Sequence, residues 1–143
     1  MKTTIFTFIG LISFLFAAAQ DSTASDSSDV YKFYQVQQRA TYKGGDAALD
    51  KYISKHIKVP ERMWELKQGF DNTVMVDFVI EKNGCVSNIK VRNKSAIPYD
   101  LQLACIQVFE EMSCKKWKPA KQRGKLVRMA FIKPIHVQIP PKE

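Results

Sequence analysis

Hydrophobic and polar positions along the chain change period several times, and each change marks an element. Leu49, Tyr52, Ile53, His56 and Ile57 recur at the spacing of one helical face. Gly44-Gly45-Asp46 opens that helix, with Asp46 placed to cap its exposed amides, and Pro60 stops it. Glu61 to Lys67 follows Pro60 as a short helical segment. From Thr73 to Ile80 the period falls to two: Val74, Val76, Phe78 and Ile80 face one way, Asp77 and Glu81 the other, which predicts a half-buried strand. Lys82-Asn83-Gly84 is a hairpin signal, and Cys85 to Arg92 returns with Ile89 and Val91 inward. A second helix is predicted over about 100–112, with Leu101, Ala104, Cys105, Val108, Phe109 and Met112 on its inner side.

A basic turn, Lys115 to Lys125, leads to a last long strand in which Val127, Met129, Phe131, Ile135, Val137 and Ile139 share a face. Pro134 cannot donate to a ladder, so this strand belongs at an edge. The order helix, strand, strand, helix, strand describes an α+β domain: a small antiparallel three-stranded sheet with two helices on one face. An open edge can accept a peptide strand. It can equally be blocked by Pro134, Lys133 and Arg128.

The first nineteen residues stand outside this pattern. Lys2, an uncharged run around IFTFIGLISFLF and Ala17-Ala18-Ala19 have the form of a cleaved secretory signal. The alternative is an inner-membrane anchor, but the apolar stretch from Ile5 to Ala19 is short of the roughly 20 residues a bilayer core requires. Residues 20–40 form a polar leader, disordered through Asp21 to Asp29, with order expected to begin between Tyr31 and Tyr42. The domain then spans 41–139, followed by a tail at 140–143. After cleavage the product would be a periplasmic or secreted protein.

Length and charge add bounds. A chain of 143 residues, 45% hydrophobic and 25% charged, holds one globular domain and is neither fibrous nor wholly disordered. The formal charge of +8 bears on solubility and anionic partners rather than on fold. Three cysteines, Cys85, Cys105 and Cys114, permit at most one internal bridge. Cys105 fits a buried hydrophobe; a bridge involving Cys114 is open.

Catalytic chemistry is not in view. No nucleophile elbow, zinc-protease, phosphate-loop or dinucleotide motif occurs, so neither an enzymatic activity nor a cofactor or metal is expected. His56 fits a hydrogen-bonded structural histidine at the core edge, and His136 an exposed position on the last strand. Glu110 and Glu111 are adjacent on a helix and do not face each other. Asn93-Lys94-Ser95 fits a glycosylation acceptor pattern, relevant only in a eukaryotic export pathway. Lys115, Lys116, Lys118, Lys121, Arg123, Lys125 and Arg128, with Trp117 among them, form the strongest charge feature. It is either a solvated basic loop or a surface for peptidoglycan, another anionic envelope polymer or an acidic peptide. Export argues against nucleic acid.

Several strings together resemble the C-terminal domains of the TonB family. Tyr42-Lys43-Gly44-Gly45-Asp46-Ala47-Ala48-Leu49, with Tyr52-Ile53 and Ile57-Lys58-Val59-Pro60, resembles the family's Gly-Gly opening. Val74 to Gly84 is similar to its first hairpin strand and turn, and Trp117-Lys118-Pro119-Ala120 through Gly124-Lys125 to its W-x-P signature. Phe131-Ile132-Lys133-Pro134-Ile135-His136-Val137 resembles its closing strand. Such domains pair with a TonB-box peptide of outer-membrane transporters along the last strand. The resemblance therefore implies a binding strand at Leu126 to Ile139, chiefly Val127, Arg128, Met129, Ala130, Phe131, Ile132, Lys133 and Pro134. The same strand could pair with a second copy of the chain. The match covers about Tyr42 to Ile139, and Leu126 replaces the family's proline after Gly-Lys. Phe70 to Asn72 and Met112 to Lys116 are longer than usual. A full transducer also has an uncleaved anchor with a histidine for its ExbB–ExbD motor and a long spacer. Residues 1–19 contain no histidine, and about twenty leader residues reach at most about 70 Å. The resemblance supports the domain and its binding mode, not energy transduction.

Overall fold

The computed structural model describes residues 29–143; the signal-like segment and residues 20–28 lie outside the described residues. The architecture is α+β, with two α-helices and a five-stranded sheet. In chain order the strands are β1 (Val30–Tyr31), β2 (Thr41–Tyr42), β3 (Phe70–Ile80), β4 (Val86–Val91), β5 (Trp117–Lys118), β6 (Ala120–Gln122) and β7 (Lys125–Ile139). The helices are α1 (Gly45–His56) and α2 (Tyr99–Glu110), with short 3-10 turns at Glu61–Glu65, Lys94–Ala96 and Cys114–Lys116. The sheet runs β1–β7–β3–β4, with β6 also on β7, while β2 and β5 form a separate ribbon. No described helix is long and apolar enough to cross a membrane.

The alternation of period two is realised on β3, where Val74, Val76, Phe78 and Ile80 are buried and Met75 and Asp77 are half-buried. On β7 Met129, Ile135, Val137 and Ile139 are buried in the same core, with Phe131 packed against it. Leu49 and Ile53 from α1 and Leu101, Cys105, Val108 and Phe109 from α2 complete it. An aromatic cluster forms its centre: Phe78 lies 4.6 Å from Phe109 and 5.3 Å from Phe131, and Trp117 lies 5.2 Å from Phe131. Trp117 satisfies its indole N–H on Met112 Sδ at 3.1 Å, so the tryptophan of the basic stretch is a core anchor.

The β3–β4 hairpin closes where Asn-Gly placed it, over Lys82-Asn83-Gly84, with Glu81 and Cys85 bonded across its base at 2.8 Å. Gly84 has φ 82°, and a Cβ there would stand 2.5 Å from the Cys114 carbonyl oxygen. This close approach brings the hairpin tip against the segment after α2, where Cys85 and Cys114 form a disulfide. Cys105 is left as a buried free thiol, and burial pushes its pKa up to about 12.

Five expectations need correction. Asp46 does not cap α1: the cap is Gly44, at φ 94° and without a side-chain bond, and Asp46 sits in the first turn, where its charge favours the helix N-terminus. The strand predicted from Thr73 begins at Phe70, because Phe70–Asn72 pair with Ile139–Val137 rather than forming an insertion before it. The basic turn is a structured arm in which β6 pairs with Lys125–Val127 around Arg123-Gly124. Part of the 20–40 leader is ordered: Val30–Tyr31 form β1, which pairs parallel to Arg128 and Met129. With β1, β6 and the ribbon added, the sheet is mixed and larger than three antiparallel strands.

Candidate functional site

The direction of each backbone group on β7 follows from one pair. Met75 of β3 has its N–H bonded to Asn93 Oδ1 (3.0 Å) and its carbonyl to Arg92 N–H (2.8 Å), so both face away from β7. Opposite it lies Pro134, which has no N–H. This pair is therefore non-hydrogen-bonded, and antiparallel alternation makes Ile135, Lys133, Phe131 and Met129 the residues bonded to β3. The backbones of Ala130 and Ile132, with the Pro134 carbonyl, consequently face the outer side of β7. There β1, in register with Arg128 and Met129, takes the Arg128 carbonyl and the Ala130 N–H, and among the described residues no strand continues beyond them, which leaves the Ala130 carbonyl, Ile132 and the Pro134 carbonyl open.

That open stretch borders a cleft of about 940 Å3. Phe33, Tyr34 and Thr41 form parts of its wall, and Val79, Ala130 and Ile132 supply apolar surface from the sheet. Phe33 and Tyr34 meet edge-on at 5.4 Å and are 50% and 64% exposed, and the Arg39 guanidinium lies 4.9 Å from the Phe33 ring. Asp77 and Arg92, joined at 3.0 Å, also line the cleft, and Asp77 Oδ1 is buried without a hydrogen-bond partner.

The predicted binding strand thus divides by parity. Val127 and Met129 are buried and Phe131 is turned into the aromatic cluster. Ala130, Ile132 and Pro134 carry the outward backbone. Lys133 is not an edge guard: its Nζ is 2.5 Å from Asp50 of α1, and its side chain is mostly buried. Arg128 forms a two-pronged bond to Glu81, at 2.7 and 3.0 Å. Those bonds, with the Ser87 hydroxyl donating to the same carboxylate, hold Glu81 below the usual carboxylate range. Of the three expected blockers, only Pro134 acts on the outer backbone.

The other sequence candidates lie elsewhere. Lys115, Lys116, Lys118, Lys121, Arg123 and Lys125 are exposed along the arm. His56 is exposed rather than at the core edge, although Nδ1 bonds the Tyr52 carbonyl at 2.8 Å. His136 is exposed, as expected, and lies 3.4 Å from Asp71. Asn93 is committed to the sheet through Met75 N–H and the Thr73 carbonyl (2.8 Å), which removes it as a free glycan acceptor. Among the described residues no His, Cys, Asp or Glu cluster could hold a metal ion. Sequence reasoning missed Phe33, Tyr34 and Arg39; the signal available was an aromatic run, Tyr31 to Tyr34, in an otherwise polar leader. No family model, curated protein or solved structure matches this chain.

Proposed function

We propose that this chain is a TonB C-terminal-like module of the cell envelope that binds an extended peptide of an outer-membrane transporter or another envelope protein by β-strand addition. The observation carrying this reading is the outer side of β7 beyond β1, where the open backbone at Ile132, with the Ala130 and Pro134 carbonyls, borders a largely apolar cleft. Edge pairing supplies affinity through the main chain, and adjoining pockets supply specificity. The pairing of β1 at Arg128 and Met129 supports the reading, since a segment of the same chain already pairs on this side. Export to the periplasm is favoured by the Cys85–Cys114 bridge, since such bridges persist in oxidising compartments.

The test is titration of synthetic TonB-box peptides, monitored by calorimetry, against the native sequence and against Ala130→Pro and Ile132→Pro. Ile132→Pro removes an open outward N–H and Ala130→Pro the one that β1 takes, and neither touches the β3 ladder. Binding should be lost while circular dichroism stays native; a folded variant that still binds would sink the reading. A second reading, retention on an anionic envelope polymer, draws on the exposed lysines of the arm. Changing Lys116, Lys118 and Lys121 to Glu should then release the protein from isolated wall material, and unchanged retention would count against it.

A further inference from the structure

A second concave feature lies on the exposed side of α1, apart from the β7 edge. It is a shallow depression of about 510 Å3 with Tyr42, Ala48 and Tyr52 as its apolar lining. Four lysines, Lys43, Lys51, Lys55 and Lys116, line it together with His56. Folding alone does not favour this grouping. Lys51 and Lys55 stand one turn apart on α1, a like-charge pair that weakens a helix. Lys43 donates its backbone N–H to the Lys116 carbonyl at 2.8 Å, beside the β2–β5 pairing, which sets two more lysines next to each other. Among the described residues no carboxylate lies within ion-pair distance of any of the four, and Asp50 of the same helix is engaged by Lys133. No countercharge for them is supplied by the described residues.

The rings add a second requirement. The carbonyl of Tyr52 can only accept, so His56 Nδ1 carries the proton of their bond and Nε2 is left for another partner. The imidazole stacks on the Tyr52 ring with centroids 4.0 Å apart, which makes a flat apolar platform between the lysines. A platform of this kind suits the C–H face of a sugar ring. Converging ammonium groups suit phosphate better than carboxylate, because phosphate carries more charge and three strong acceptor oxygens.

We propose that this depression binds a phosphorylated saccharide, the sugar against the Tyr52–His56 stack and its phosphates among Lys43, Lys51, Lys55 and Lys116. Two sources offer that chemistry: the headgroup of a phosphorylated glycolipid, and a soluble sugar phosphate. Of the basic arm only Lys116 takes part, so the site is local and not a property of the whole charged surface.

The test pairs calorimetry on a hexose bisphosphate and the unphosphorylated hexose with co-sedimentation on phosphatidylcholine vesicles, with and without a phosphorylated glycolipid. Binding of the bisphosphate but not the hexose marks a soluble ligand, and binding to the glycolipid vesicles alone marks a headgroup. Binding to neither overturns the proposal. Lys51→Ala/Lys55→Ala should weaken the observed binding by at least about tenfold, from two lost charge-assisted bonds. Lys121→Ala/Lys125→Ala removes the same charge from the β6–β7 end of the arm, outside the lining of the depression, and should leave affinity within about twofold, because exposed charges farther apart than about 10 Å are largely screened. Equal losses in both variants would show nonspecific attraction and overturn the site. Lys51→Ala/Lys55→Ala should melt no lower than the native protein, since it relieves repulsion and places alanine in a helix, so lost binding is not lost fold.

Discussion

The two sides of β7 are made by one run of residues and do opposite work. Toward β3, the strand is paired from Met129 to Ile139 without a gap. On the outer side, β1 takes only the register of Arg128 and Met129. The contrast extends to the far side of β3, where β4 ends at Val91 and the amide of Asn93 takes over, satisfying Met75 and Thr73. An edge that could have been left open is thus closed by a side chain, while the edge beside the cleft is left open. A strand can be essential to a fold and available to a partner at once, because neighbouring residues point their backbone groups in opposite directions.

Proline placed on each side of β7 separates its two roles. Met129→Pro removes a bond to β3 and a buried side chain, and should cost more than about 3 kcal/mol, seen as loss of a cooperative melt. Ile132→Pro, three residues on, should keep the melt and lose the peptide. If both unfold, the parity assignment of β7 is wrong.

Next in size is the bridge that ties the β3–β4 hairpin to the segment before β5. Cys85→Ser opens a linkage between residues 29 apart and should lower stability by about 3–4 kcal/mol in denaturant titration under oxidising conditions. Cys105, buried and with its pKa near 12, should resist alkylation in the folded protein. Rapid labelling of one thiol per native chain would contradict this pairing.

Removing the side-chain seal is a smaller perturbation. Asn93→Ala strands the Met75 N–H and should cost about 1–3 kcal/mol, with faster amide exchange at Met75 than at Val76. Smallest is the effect of pH at Glu81. Its pKa is lowered in the folded state, first by the Arg128 hydrogen bond, so its contribution is present above the ordinary value of 4.5 and is lost as pH falls through the lower folded value. Glu81→Gln should flatten that part of the acid melting profile; an unchanged slope would show that the pair contributes nothing.

Much of the fold was legible. The face of α2, the period of β3 and β7 and the Asn-Gly hairpin were readable because they bury apolar residues at a fixed spacing, a local signal. Phe70 to Asn72 escaped because two of those residues are polar, and their strand character comes from pairing with the far end of β7. Asp46 has the chemistry of a cap, but the backbone at Gly44 and Gly45 already turns the chain into the helix at positive φ. The candidate strand was visible through Pro134, whereas the cleft beside it was not. Phe33 and Tyr34 belong to a segment with no period, and their place depends on where β1 joins β7.

Local spacing along the chain accounts for the two amphipathic helices, the hairpin and the inward face of the last strand, none of which needs knowledge of distant partners. The edge position expected from Pro134 does not hold, because β7 lies between β1 and β3 and is open on one side only beyond β1. Tertiary structure decided which cysteines meet, that Lys133 and Arg128 serve internal carboxylates instead of guarding the edge, and that lysines from α1 and from two separate loops gather round one depression. Those outcomes depend on groups far apart in the chain being brought together, and the spacing of residues in one dimension carries no record of that distance.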